Sequence, residues 1–196
     1  MNLGRLAFQG LVGMSLISCE RRAVEPAQSL VGSKSLPSLA DLHKETIALA
    51  RMGGKDGKDT LTIEIRPTNE IVVSHFRGQD KTPVAQETGH LSGQQGESIR
   101  RMLWRVRPDY GAPAQKTIPL GCHYVYDAGY DWAVAYVRGD KPANFVMFTL
   151  PYREYCQTAA YAQARDLIGA VLGALPRSNV IQGFPPGRFH PLGTYS

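Results

Sequence analysis

The chain has 196 residues, is 43% hydrophobic and 20% charged, and carries a formal net charge of +5. That length suits one domain with tails, and the composition excludes wholesale disorder. No run reaches the roughly 18 apolar residues that cross a bilayer, which excludes a polytopic membrane protein. The mild positive charge also lacks the dense Lys/Arg clustering of a nucleic-acid binder.

Residues 1–19 carry the strongest signal. Arg5 precedes a mostly apolar stretch over 6–17, and small residues follow it. A basic start, a short apolar core and a small-residue end describe a secretory signal peptide. The motif Leu16-Ile17-Ser18-Cys19 resembles the bacterial lipobox, which places an aliphatic residue and a small residue before a cysteine. The resemblance is to bacterial lipoproteins. It implies that residues 1–18 are a removed signal peptide and that the Cys19 sulfur takes a diacylglycerol. Residues 19–37 then form a lipidated tether, mixed in charge, Ser, Gly and Pro. Two or three acyl chains, at about 0.8 kcal/mol per buried methylene, anchor a chain for good. Glu20, not aspartate, follows the cysteine, and the resemblance therefore implies the outer rather than the inner membrane, on the periplasmic side.

Three cysteines are present, Cys19, Cys122 and Cys156. With Cys19 lipidated two remain, and the periplasm oxidises pairs. A Cys122–Cys156 disulfide is the favoured reading. Two inert thiols, or a reactive cysteine beside His123, stay open at this level.

Ser38 to Leu42 can open a short helical turn. Residues 46–52 are readable as strand or helix, with a strand favoured because a Gly/Lys/Asp loop follows at 53–59. Leu61, Ile63 and Ile65 alternate with Thr60, Thr62 and Glu64, the mark of a half-buried strand. Pro67, Thr68 and Asn69 make a turn, and 71–76 return as the partner strand. Residues 78–91 read as polar and irregular. Ser92 with Gln95 then forms a capping box. Ile99, Met102, Leu103 and Val106 line one face of a helix, while Arg100, Arg101, Arg105 and Arg107 decorate the rest until Pro108. Residues 111–119 read as a loop. Short strands follow over 122–126 and 130–137, and 144–150 reads as a central strand buried on both faces. A second helix spans 159–175, its stripe formed by Ala160, Ala164, Leu167, Ile168, Val171, Leu172 and Leu175. Gly169 and Gly173 within it suggest close backbone packing on the sheet.

Hairpins followed by single helices predict an α+β domain over 38–176. Its antiparallel sheet has about five to six strands, with two main helices packed on one face. Residues 177–196 read as an extended tail. The segments 46–52, 60–76 and 92–107 are similar in plan to small bacterial lipoprotein domains of unknown function, a resemblance that implies no activity.

No catalytic constellation stands out. The five histidines show no metal-ligand spacing, and neither a metal nor a cofactor is expected. The candidate partner surface combines Arg100, Arg101 and Arg105 with Tyr124, Tyr126, Tyr130 and Trp132. Tyr, Trp and Arg are enriched at interfaces. The expectation is a non-enzymatic lipid-anchored protein that binds another protein, as an envelope assembly factor or an immunity-type inhibitor does. The alternative is an envelope enzyme acting on peptidoglycan or lipid through residues the sequence does not locate.

Overall fold

A computed structural model describes residues 38–53, 59–78, 80–108, 115–118, 120–122, 129–139, 143–151 and 156–184. In chain order these give α1 (Leu39–Leu42), β1 (Thr46–Gly53), β2 (Asp59–Ile65), β3 (Glu70–Arg77), β4 (Ala85–His90) and α2 (Gly93–Trp104). Then follow β5 (Gln115–Thr117), β6 (Gly129–Val137), β7 (Asn144–Pro151), α3 (Ala159–Ala174) and α4 (Asn179–Gly183). The fold is α+β. Six strands form an antiparallel sheet, and short β5 adds a seventh parallel to β7; the strand order is β4-β3-β2-β1-β6-β7-β5.

The ambiguous segment 46–52 is a strand, and it lies at the centre of the sheet, between β2 and β6. The β2–β3 connection follows its turn chemistry. Asn69 holds φ 66°, a left-handed backbone that asparagine tolerates, and its N–H donates to the Arg66 carbonyl at 2.9 Å.

Strand alternation sorts the side chains. Ile47 and Leu49 of β1 share a face with Ile63, Ile65, Ile71, Val73, Val134 and Tyr136. These residues join Ile99 and Leu103 of α2 and Ala164, Ile168 and Val171 of α3 in one core. The opposite face has a floor of small residues, Ala48, Ala50, Ala133 and Ala135, all buried.

The capping box is present at α2. Gln95 N–H donates to Ser92 Oγ at 3.2 Å, and Ser92 N–H donates back to Gln95 Oε1 at 3.0 Å. Thr158 caps α3 by accepting from Tyr161 N–H. The Cys122–Cys156 disulfide forms, with Cα atoms 5.1 Å apart. It ties the chain before β6 to the start of α3.

Several expectations are corrected. Residues 78–91 are not wholly irregular, because β4 forms within them and pairs with β3. Its sequence is poor in strand formers, and the ladder to β3 supplies what propensity lacks. The loop over 111–119 contains β5. β7 is not the central strand; it lies next to β5 at one side of the sheet, with Val146 and Leu150 buried and Phe145 half-buried. Gly173 is exposed with no atom within 4 Å of a virtual Cβ, so close packing does not explain it. Residues 177–184 are not an extended tail. Ser178 caps α4, and Val180 and Phe184 are buried. Most of the expected strand over 122–126, the tether and residues 185–196 lie outside the described residues.

Candidate functional site

The four arginines of the 92–107 segment divide in two. Arg101 and Arg105 stay at the surface, where Arg101 Nε donates to Glu97 Oε1 at 2.7 Å, one helical turn back. Arg100 and Arg107 turn inward. Arg100 is 0% exposed, which removes it from the candidate partner surface. A long side chain beside Ile99 on an amphipathic helix reaches past the helix edge and finds backbone acceptors.

Those acceptors come from three separate elements. Arg100 Nη1 donates to the carbonyls of Leu42 at 3.2 Å and Glu45 at 2.7 Å, and Nη2 donates to that of Arg66 at 2.5 Å. One guanidinium thus joins the end of α1, the approach to β1 and the β2–β3 turn to α2. Burial lowers its pKa from the usual arginine value, and the negative Glu45 opposes that shift. Its Nε has no hydrogen-bond partner.

Arg107 makes a two-pronged pair with Glu45. Nε donates to Oε2 at 2.9 Å and Nη2 donates to Oε1 at 2.5 Å, with Nη1 donating to the Pro108 carbonyl at 2.8 Å. The guanidinium carbon lies 5.1 Å from the Trp104 ring centre and 5.6 Å from that of Tyr136. The Tyr136 hydroxyl donates to the Leu103 carbonyl at 2.7 Å. Burial pushes the Tyr136 pKa far above its ordinary value, against the pull of Arg107, so the phenol stays neutral. Glu45, Arg100, Arg107 and Tyr136 therefore form a buried polar cluster beneath the C-terminal half of α2. Its donors are directed at backbone carbonyls and a carboxylate, an arrangement that locks elements together.

A second polar pair lies at the other end of the sheet. His75 Nε2 and Asp59 Oδ1 are 3.0 Å apart. The Phe184 ring meets His75 edge-on at 5.0 Å, and Arg51 lies over the same ring at 5.2 Å. This contact docks the end of α4. The register of the β2–β3 hairpin, with Asp59 opposite Arg77 and Leu61 opposite His75, could have revealed the pair from sequence.

Among the remaining candidates, Trp132 is buried at 2% exposure and packs into the core, so it too leaves the partner surface. Tyr130 lies within β6 opposite Leu150. Tyr124, Tyr126 and Cys19 fall outside the described residues. Sequence reasoning gave Glu45 no part, and treated Arg107 as surface decoration. The available signal was one acid, Glu97, serving four arginines within residues 92–107.

Among the described residues no group of three His, Cys, Asp or Glu side chains is placed to hold a metal ion. Among them, too, no helix is long and apolar enough to cross a membrane. No protein-family model matches the chain, and neither does any curated protein.

Proposed function

We propose that this is a lipid-anchored, periplasm-facing envelope protein that works by binding a protein partner, with Arg101 and Arg105 on α2 as the contact face. The observation that carries the reading is the division of the arginines. Arg100 and Arg107 fix α2 and the turn after it to α1, β1 and the β2–β3 turn, and the same segment holds Arg101 on the helix and Arg105 at its C-cap at the surface. A rigidly mounted helix keeps the ordering cost of engaging an acidic partner low, and the planar guanidinium fork suits carboxylates. The lipobox at Leu16–Cys19 and the Cys122–Cys156 pair support an anchored protein in an oxidising compartment. For the fold, we infer that α2 and α3 share the aliphatic face of the sheet. The Tyr136 to Leu103 hydrogen bond and the Gln95 to Ala174 contact at 3.4 Å support that arrangement.

The test is charge reversal at Arg101→Glu with Arg105→Glu. Exposed substitutions of this kind change stability within about ±0.5 kcal/mol. The expected outcome is an unchanged melting curve together with loss of the proteins that co-purify with the native lipoprotein. Recovery of the same proteins by the reversed form overturns the assignment of this face.

A further inference from the structure

β4 ends the sheet on one side. Among the described residues no strand pairs with its outer edge, whose groups can be read from the ladder. Arg66 N–H donates to the Glu70 carbonyl, so the even-numbered residues of β3 bond toward β2 and the odd-numbered ones toward β4. Ile71 pairs with Gly89 and Val73 with Glu87. The N–H and C=O groups of Gln86, Thr88 and His90 therefore point away from the sheet. All three residues are exposed. Val84, just before the strand, is 52% exposed and is the one exposed large hydrophobic among the described residues.

Edges of this kind are normally blunted by Lys, Pro or a charge turned inward. Residues 84–90 contain neither Lys nor Pro. Their one charge, Glu87, lies on the opposite face from Gln86 and Thr88 and accepts from the Asn179 N–H at 3.1 and 3.2 Å. The outward backbone groups are left as a template for another strand.

We propose that β4 is a homodimer edge to which a second copy of the chain adds antiparallel, with Thr88 on the two-fold axis. The sequence is self-complementary in that register. Thr88 faces Thr88, a favourable cross-strand pair, and Gln86 faces His90 twice. Glu87 falls opposite Gly89. Slipping the register to pair Gln86 with Thr88 sets Glu87 against itself, and like charges directly opposite are destabilising. Strand β4 offers six residues. That is far below the about 20–30 residues a side of a standard interface, so association depends on concentration. The proposal is independent of the partner face on α2.

The experiment is sedimentation velocity of the full chain carrying Cys19→Ser, which removes a thiol that could cross-link copies by itself. The expected result is a shift from monomer to dimer as concentration rises. In the same background Thr88→Lys places two ammonium groups on the axis and should abolish the dimer while leaving the melting temperature unchanged. Thr88→Pro removes an N–H that the β3 ladder does not use and should do the same. A chain that stays monomeric over the whole range overturns the proposal. So does a folded Thr88→Lys or Thr88→Pro protein that dimerises like its parent.

Discussion

Glu45 sits where a carboxylate is expensive to place. It is 4% exposed, and both of its oxygens accept from Arg107, itself 4% exposed. Removing one partner of such a pair leaves a buried charge facing the wrong neighbour, at about 3–5 kcal/mol, whereas replacing both by apolar groups is often neutral. Glu45→Gln should therefore lower the unfolding free energy by an amount in that range, and the denaturant midpoint with it. The double change Glu45→Met with Arg107→Met should destabilise less than Glu45→Gln alone. A urea titration of the three proteins checks this, and equal midpoints for native and Glu45→Gln chains would show the pair to be energetically idle. Residues of this kind are hard to see in advance. Arg100 and Arg101 are neighbours of the same type on one helix, yet one is fully buried and the other is not. Composition and spacing treat both as solvated, because what separates them is a set of backbone carbonyls delivered by α1, β1 and a distant turn.

At the scale of elements, local chemistry was legible wherever it was self-contained. The alternation over 60–66 specifies a strand, but not the half-buried one expected, because Thr62 and Glu64 are buried on the second face as well; the turn around Asn69 and the Ser92–Gln95 box do follow from a few adjacent residues. Elements defined by a distant partner were not legible. β4 owes its form to β3, and α4 owes its position to Phe184 against His75 and to Glu87. Gly96 belongs to this second kind: a Cβ there would sit 2.2 Å from Asn69 Oδ1, a constraint that exists only once α2 meets the β2–β3 turn.

The α4 contact carries a pH dependence of its own. Hydrogen bonding from Ser178, joined by the N–H groups of Val180 and Asn179, holds the Glu87 carboxyl below its ordinary value of 4.5. A carboxyl with a depressed folded pKa contributes stability above its unfolded pKa and loses it as pH falls through the folded pKa. The docking of α4 should thus be complete at neutral pH and weaken only below about 4.5. Amide exchange at Asn179 and Val180 reads this directly. Protection should fall on acidification through the carboxylate range and stay flat at neutral and higher pH, well above the ordinary value of 4.5. Glu87→Gln should make the acid-induced loss disappear.

For the whole molecule, the Cys122–Cys156 bridge encloses the β6–β7 hairpin within a sequence separation of 34. In the chain-entropy account a closed loop of that size contributes roughly 3–4 kcal/mol. Reduction, or Cys122→Ala with Cys156→Ala, should lower the unfolding free energy by about that much, as measured by denaturant titration with and without reductant. Identical titrations would mean that the unbridged chain is already constrained. The cysteine count pointed to this bridge once Cys19 was assigned to lipid, which leaves a single pair. The α+β class was likewise readable from hairpins followed by single helices. The order of strands was not, because the pairing of β1 with β6 leaves no mark on either segment.

That pairing sets a timetable. β1 finds one neighbour, β2, immediately after itself in the chain, but its other neighbour, β6, is made only after β2 to β5 and α2. A polypeptide that emerges amino end first completes the β1–β4 meander while one flank of its middle strand is still bare. Until residue 137 has arrived, that flank presents the backbone of Thr46–Gly53 to whatever is nearby. Long-range strand pairing is slow, and bare strand edges invite the wrong neighbour. The most hazardous moment in the life of this molecule therefore falls late in its delivery, when most of the chain is present and its centre is still half open.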